Sequence, residues 1–259
     1  MVPLDVVDER IARIRALIRD AGYVFMMTGS GVSAESGVPT FRGAGGYWRN
    51  HDVTELATPE AFTANPRLVW DWYLERRRAV LACEPNAAHR AIAAWLAARP
   101  GMLITQNVDG LHERAGTRDV VRFHGSLWTN KCSQCGIERA CEDVHYDTLP
   151  ASPCCGAPER PGVVWFGEPI PRAGFDAADD ALAHAGVMLV IGTSGVVFPA
   201  AGIAQAARYR GIPVITVNPD GAGGDSDTWV PLPAGAAMPR LLALDDQARA
   251  PRPRETETR

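Results

Sequence analysis

The sequence predicts an α/β fold: a doubly wound parallel sheet with a smaller second lobe. Four short apolar runs are continuous rather than alternating, which is typical of parallel strands covered on both faces. They lie at residues 23–27, 102–105, 187–191 and 214–217. The predicted helices lie at residues 4–20, 89–99, 176–185 and 199–210. Strand and helix thus alternate along the chain, which indicates a doubly wound sheet.

The first helix is the best-marked element. Six apolar residues between positions 4 and 20 recur at helical spacing, with charged residues between them. Gly22 follows as a stop signal. We therefore expect an amphipathic helix to open the fold.

Composition indicates a globular protein without a strong charge bias. Of 259 residues, 46% are hydrophobic and 22% are charged, and the formal net charge is −4. With no long basic run, the chain has no whole-molecule attraction for nucleic acid or anionic lipid. The first twenty residues contain Asp5, Asp8 and Glu9 and no apolar core of signal-peptide length. We expect a cytoplasmic protein whose partners are neither nucleic acids nor membranes.

Two segments do not fit the alternation of strand and helix. Residues 44–82 are rich in Trp and Arg at helical spacing, and residues 128–161 hold five of the six cysteines. We interpret them as a helical module and a cysteine module that form the small domain. The rest is a discontinuous larger domain and a disordered polar tail. The larger domain comprises residues 1–43, 83–127 and 162–246, and the tail residues 247–259.

A glycine-rich turn follows the first predicted strand. Residues 29–34, GSGVSA, have the G-x-G-x-x-A form of the Rossmann dinucleotide fingerprint, whose glycines let backbone amides approach a pyrophosphate. Taken alone, such a turn can also be a tight connection between strand and helix. The larger domain is therefore expected to be Rossmann-like.

The longer string at residues 28–42, TGSGVSAESGVPTFR, closely resembles the signature of the sirtuins, the NAD-dependent protein deacylases. Ser30 stands where that family usually has Ala. Further blocks resemble the family in the same order: TQNVDGLH at 105–112, FHGSL at 123–127, VWFGE at 164–168 and GTS at 192–194. The resemblance spans roughly residues 10 to 245, and the chain is identified as a member of this family.

The resemblance implies NAD as cofactor and assigns residues to it. From the first block these are Gly29, Ser30, Gly31, Ala34, Glu35, Pro39, Thr40, Phe41 and Arg42, followed by Trp48. From the later parts of the chain they are Gln106, Asn107, Val108, Asp109, Gly192, Thr193, Ser194, Asn218 and Ala234. Phe41 is expected to screen the sugar from water. Gly192 and Ser194 are expected to contact phosphate and ribose at a helix start.

The resemblance also implies the catalytic groups. Asn107 and Asp109 are assigned to the nicotinamide pocket, although capping of the helix that they begin is an alternative that can coexist with this role. His124 follows a predicted strand at 120–123 and is assigned as the general base, which suits histidine near neutral pH. The implied reaction takes an acylated lysine of a protein or peptide, NAD and one water, and yields free lysine, nicotinamide and O-acyl-ADP-ribose.

Tyr73 and Arg76 are candidates for binding the acyl group. They lie three residues apart, hence on one face if residues 66–82 are helical, and an Arg beside a phenol suits a carboxylate. The alternative is a solvated basic face, because residues 76–78 are all Arg. The Tyr-x-x-Arg pair resembles the sirtuin class that removes succinyl, malonyl and glutaryl groups. Ala57 matches the small residue that opens the acyl pocket of that class.

We therefore expect desuccinylation and demalonylation, with deacetylation as a secondary activity. The alternatives are a protein that is mainly a deacetylase, and a protein ADP-ribosyltransferase that uses the same pocket. The resemblance assigns four further residues to the substrate. They are Val164, Trp165, Phe166 and Gly167. We expect the protein to act as a monomer.

The cysteine cluster predicts one structural zinc ion. Cys132 and Cys135 form one C-x-x-C half of a zinc ribbon, and a second half should follow about 15 to 20 residues on. That half is irregular, with adjacent Cys154 and Cys155 and with Cys141 in between. Cys154 is the preferred fourth ligand, Cys141 is the alternative, and loss of zinc is a third possibility. A nucleic-acid ribbon is disfavoured because residues 136–149 carry four acidic residues against one Arg.

Overall fold

The computed structural model describes residues 4–39, 47–48, 51–193, 200–220 and 228–244. Its strands, in chain order, are β1 (Val24–Thr28), β2 (Tyr47–Trp48), β3 (His51–Asp52), β4 (Gly101–Thr105), β5 (Val121–Arg122), β6 (Gly125–Cys132), β7 (Glu138–Ala140), β8 (Glu159–Val163), β9 (Val187–Ile191), β10 (Val214–Val217) and β11 (Trp229–Val230). Its helices are α1 (Leu4–Asp20), α2 (Gly31–Ala34), α3 (Val53–Leu56), α4 (Pro59–Ala64), α5 (Pro66–Leu81), α6 (Ala87–Ala98), α7 (Leu111–Arg114), α8 (Arg172–His184), α9 (Ala200–Tyr209) and α10 (Ala234–Leu241).

Six strands form one parallel sheet in the order β11-β10-β9-β1-β4-β5. The register is in step across its centre, where Thr28 of β1 lies opposite both Thr105 of β4 and Ile191 of β9. The carboxyl ends of these strands therefore lie side by side. The predicted fold class is confirmed: the sheet is of the doubly wound type, with a smaller antiparallel sheet beside it.

The apolar runs are continuous because each face of the sheet is covered. On one face, Val24 and Met26 of β1 pack in a core with α1, α6 and α10. On the other face, Phe25 and Met27 pack in a second core with α8 and α9. Burying a side chain of this size contributes roughly 1.5 to 3 kcal/mol. These two cores hold the carboxyl edge of the sheet in place.

A second sheet, in the order β7-β6-β8, is antiparallel. Its core contains aromatic and aliphatic residues from α5, β6 and the segment after β8, among them Trp70, Tyr73, Leu127 and Trp165. Helix α5 thereby connects the small sheet to the acyl-binding candidates. How the chain divides into domains stays a prediction, and the tail at residues 247–259 lies outside the described residues.

The predicted elements are present, and only their ends differ. The helix expected at 89–99 is α6, which begins earlier because Asn86 caps it, accepting from the backbone nitrogens of Ala88 and His89. The helix expected at 176–185 is α8, which begins directly after Pro171. Among the described residues, no helix combines the length and apolar composition needed to cross a bilayer.

Candidate active site

The loops after the central strands are tied to one another by backbone hydrogen bonds. The backbone nitrogen of Gly29 donates to the Ile191 carbonyl over 3.0 Å, and that of Gln106 donates to the Thr28 carbonyl over 2.9 Å. The backbone nitrogen of Gly31 donates to the carbonyl of Gly192 over 2.8 Å. The edge where open α/β sheets bind ligands is thus a set of mutually fixed turns.

The fingerprint glycines allow two of these turns to touch. A Cβ atom on Gly31 would lie 2.8 Å from the Cα of Gly192, and one on Gly29 would lie 2.8 Å from the Cβ of Thr193. Gly192 also has a φ of 61°, in the left-handed region that favours glycine. The glycines are therefore required for the approach of the two loops, in addition to the pyrophosphate role that the sequence suggests.

The hydroxyl of Ser33, which is fully buried, joins two loops of the site. Its Oγ donates to Asp109 Oδ2 over 2.8 Å and accepts from Asn107 Nδ2 over 3.0 Å. His89 Nε2 lies 3.3 Å from the same Oγ. Since His89 Nδ1 accepts from the backbone nitrogen of Asn86, its Nε2 carries the proton and donates to Ser33. Sequence reasoning missed both Ser33 and His89, and only the position of Ser33 inside the fingerprint hinted at a role.

Asp109 has two roles at once. Its Oδ1 accepts from the backbone nitrogen of Leu111 over 2.9 Å, so it stabilises the start of α7, while its Oδ2 accepts from Ser33. Burial raises the pKa of this carboxyl, and the two hydrogen bonds oppose that rise. Asp109 therefore caps α7, and its assignment to the nicotinamide pocket stays a prediction that this cap does not oppose. The Asn107 side chain is instead turned to Ser33.

His124 differs in burial from two other histidines, His89 and His112. Its Nδ1 donates to the Gln106 carbonyl over 3.0 Å, which leaves the lone pair on Nε2. Burial lowers the pKa of His124, and the bond to Gln106 partly restores it. His89 and His112 are fully buried, and burial lowers their pKa values to about 4 and about 3. Of these three residues, only half-buried His124 is open to a ligand.

Tyr73 and Arg76 face inward from α5. The Tyr73 oxygen accepts from Trp165 Nε1 over 2.9 Å, and the Arg76 Cζ lies 5.3 Å from the Tyr73 ring centroid. Burial lowers the pKa of Arg76, whereas the nearby Tyr73 and Asp109 raise it. Of the three consecutive arginines, only Arg78 is exposed, so the basic run is not a solvated face.

The segment after β8, residues 164–168, connects the catalytic and acyl-binding candidates. The backbone nitrogen of Val164 donates to the His124 carbonyl over 2.9 Å, and that of Phe166 donates to the Ala57 carbonyl over 2.9 Å. Ala57 packs with Tyr73 and Trp165 in one apolar cluster. Gly167 follows with a φ of 84°, where the chain turns. The substrate candidates are therefore brought together around Trp165.

The other NAD candidates are placed unequally. Gln106 Nε2 donates to Thr193 Oγ1 over 3.4 Å, and Asn218 Nδ2 donates to the Thr193 carbonyl over 3.1 Å, so these side chains meet at the sheet edge. The carboxylate of Glu35 accepts from the backbone nitrogen of Gly235.

The remaining NAD candidates differ in exposure. Ala234 is buried in the core, so its methyl group is closed to a ligand. Val108 packs against the apolar cluster that contains Trp165. Ala34 and Pro39 are exposed, Ser30 is half-buried, and Trp48 lies in β2. Thr40, Phe41, Arg42 and Ser194 lie outside the described residues.

Four cysteines converge at the end of the small sheet. The Sγ atoms of Cys132, Cys135, Cys154 and Cys155 all lie within 4.8 Å of one another. Tetrahedral zinc at about 2.3 Å from each sulfur needs sulfurs about 3.7 Å apart, so the group fits one Zn²⁺. Cys141 lies elsewhere, with its Sγ 3.1 Å from the Tyr146 hydroxyl. The structure therefore favours Cys154 over Cys141 as the fourth ligand.

Comparison with known proteins agrees with this geometry. Residues 29–199 match the model of the Sir2 family. The chain belongs to the Sir2 family. An NAD-dependent protein deacylase of Methylococcus capsulatus is 48% identical over 239 residues, which cover 88% of this chain and 94% of that protein. The resemblance to sirtuins is thereby confirmed.

Solved Sir2 structures share the fold. A Sir2 homologue in complex with NAD is 41% identical, with a TM-score of 0.83, and the match covers 89% of this chain and 92% of that one. A variant of a Sir2 homologue in complex with 2'-O-acetyl ADP ribose is 41% identical, with a TM-score of 0.82, over 90% and 94% of the two chains. This Sir2-family protein therefore has relatives with both a cofactor and an acylated nucleotide bound.

We predict that acid destabilises this Sir2-family protein through its buried histidines. His89 and His112 have folded pKa values below the ordinary 6.5, so the unfolded chain binds more protons as pH falls below 6.5. Each lowers the free energy of unfolding by up to about 1.4 kcal/mol per pH unit between pH 6.5 and its folded pKa. Urea unfolding at pH 7.5, 6 and 5 measures the slope.

His112→Gln should make that slope shallower, and His145→Gln, at an exposed position, is the matched control. The comparison is made between variants because other groups also titrate in this range. An unchanged slope in His112→Gln would show that His112 does not titrate as the burial argument requires.

We also predict one zinc ion per chain, held by Cys154 and not by Cys141. Cys154→Ser should lose the metal and lower the melting temperature, because a structural site contributes its binding free energy to folding. Cys141→Ser should keep a metal-to-protein ratio near that of the wild type. Elemental analysis and thermal melts, with and without a chelator, measure both. A zinc-loaded Cys154→Ser would contradict the assignment.

Proposed function

We propose that this chain is an NAD-dependent protein-lysine deacylase that prefers acidic acyl groups, succinyl and malonyl, and removes acetyl groups more slowly. Its relatives include an NAD-dependent protein deacylase and Sir2 homologues bound to NAD and to 2'-O-acetyl ADP ribose. The observation that carries the acyl preference is the inward position of Arg76 beside Tyr73, near Asp109. The proposed form is a cytoplasmic monomer acting on acylated lysines of proteins or peptides, without nucleic-acid or membrane partners.

The residues at the sheet edge fit NAD. Gly29, Ser30, Gly31, Gly192 and Asn218 are proposed to hold its phosphates and adenosine, because paired tight turns at the ends of parallel strands suit such a ligand. When bound, NAD supplies an electrophilic ribose carbon and nicotinamide as leaving group. The chain contributes orientation, and the crossed hydrogen bonds of the loops keep that orientation rigid.

Asn107 and Asp109 are proposed to bind the nicotinamide carboxamide. Both side chains are held by Ser33, over 3.0 and 2.8 Å. The second carboxylate oxygen is held by the Leu111 amide. An amide and a carboxylate oriented in this way can supply a donor and an acceptor to a carboxamide. Ser33 and His89 then act as positioning residues behind them.

His124 is proposed as the general base. Gln106 holds its Nδ1 proton, so that Nε2 is the free lone pair and can accept the proton of a ribose hydroxyl. Since burial lowers its pKa below the ordinary value, the ring is neutral and competent at pH 7. By the resemblance to sirtuins, Phe41 is proposed to exclude water from this reaction.

The acyl end of the substrate is proposed to meet Arg76 and Tyr73. Removing a guanidinium partly from water is unfavourable, and a carboxylate that binds it restores favourable interactions. An acetyl group has no such carboxylate. Ala57, Val164, Phe166 and Gly167 are proposed to line the pocket around them, with the buried Trp165 bonded to Tyr73 from behind. The same site without acyl discrimination would serve a general deacetylase, and ADP-ribosyl transfer to protein remains the third candidate.

Arg76→Met should lower the ratio of kcat/KM for succinyl-lysine to that for acetyl-lysine in one peptide sequence by roughly 10- to 100-fold, the range for losing a charge-assisted hydrogen bond. Mass spectrometry of deacylated peptide measures both rates. Arg78→Met is the matched control, because Arg78 is exposed and donates to the carbonyl of Val144. If acetyl removal dominates in the wild type and Arg76→Met leaves the ratio unchanged, the protein is a general deacetylase.

A further inference from the structure

The indole ring of Trp165 is held in place by its contacts with Arg160 and Phe62. The Arg160 Cζ lies 3.7 Å from the centroid of the Trp165 ring, within the range of a cation–π contact. Phe62 packs against the same indole, with ring centroids 5.5 Å apart. Trp165 is only 2% exposed. Its ring therefore has little freedom to rotate or shift.

Glu168 fixes both the arginine and the backbone of the tryptophan. Arg160 donates from Nη1 to Glu168 Oε1 over 2.6 Å and from Nη2 to Oε2 over 2.8 Å. The backbone nitrogen of Trp165 donates to the same Oε2 over 2.9 Å. This bidentate ion pair is rigid because the planar guanidinium and carboxylate groups form two parallel hydrogen bonds. The pair is partly buried, so water does not screen it fully.

The edge of this fixed indole reaches the acyl-binding tyrosine. Trp165 Nε1 donates to the Tyr73 oxygen over 2.9 Å, and Tyr73 is 1% exposed. Burial raises the pKa of Tyr73, so its hydroxyl keeps its proton. A phenol oxygen that accepts from a donor on one side directs its own proton to another side. Accepting that bond also makes the hydroxyl a stronger donor.

We propose that Arg160, Glu168 and Trp165 are positioning residues that orient the Tyr73 hydroxyl as a hydrogen-bond donor toward the acyl carboxylate. The inference rests on the proposed function, because it needs an acidic acyl group at Tyr73 and Arg76. Acyl selection then depends on a series of contacts that runs from Glu168 through Arg160 and Trp165 to Tyr73. A cluster that only stabilises the small lobe would affect stability and leave acyl selection unchanged.

Trp165→Phe tests this series of contacts, because the substitution removes the indole N–H group and keeps an aromatic ring. The measured quantities are KM and kcat for succinyl-lysine and acetyl-lysine in one peptide. The ratio of succinyl to acetyl kcat/KM should fall by about 5- to 20-fold, mainly through KM for the succinyl peptide. In a Tyr73→Phe background, the same change should alter the ratio less than about 2-fold, because the hydroxyl it orients is absent.

Trp70→Phe is the matched control. Trp70 is a buried residue of α5 whose indole donates to the carbonyl of Glu159, so Trp70→Phe also removes a buried indole hydrogen bond but leaves the one from Trp165 to Tyr73 in place. Its acyl ratio should equal that of the wild type. An unchanged ratio in Trp165→Phe, or an equal fall in both backgrounds, would overturn the inference and leave the proposed acyl preference standing. A wild-type protein without succinyl preference would overturn both.

Glu168→Gln covers the case in which Trp165→Phe does not fold. It weakens the ion pair with Arg160 while keeping an acceptor for the Trp165 amide. The acyl ratio should fall in the same direction, by about 3-fold, and a folded Glu168→Gln with the wild-type ratio would contradict the proposal.

Discussion

The buried hydroxyl of Ser33 is the contact on which the candidate site depends most. It links the turn after β1 to the loop after β4 by donating to Asp109 and accepting from Asn107, and His89 supports it from behind. The in-step register of the parallel strands makes this possible, because Thr28 and Thr105 end at one level. A shift of either strand would separate the serine from both partners.

Burial divides the polar side chains of the site into two groups. His89 and His112 are neutral and lie in the core, where their hydrogen bonds hold other residues. His124 and Arg76 are only partly buried, so a ligand can reach them. The first group confers rigidity and the second is available for chemistry. Acid weakens the fold through the first group by protonating residues that the folded state keeps neutral.

The strands of the parallel sheet and the family were predictable from the sequence. The continuous apolar runs predicted the strands because both faces of the sheet are covered, and the glycine blocks indicated the family. The contacts between Ser33 and His89 and between Trp165 and Tyr73 were not predictable, since 56 and 92 residues separate the partners and no local periodicity reports such pairs. Cys154 and Cys141 were likewise separable only in three dimensions, because spacing alone allowed either one.

The proposed function joins NAD cleavage to transfer of an acidic acyl group in one active site. The most direct measurement is mass spectrometry of the nucleotide products from NAD and a succinyl-lysine peptide, with nicotinamide quantified in the same sample. We expect O-succinyl-ADP-ribose, nicotinamide and free lysine peptide in equal amounts. Peptide carrying ADP-ribose, or nicotinamide released without any acylated nucleotide, would contradict it.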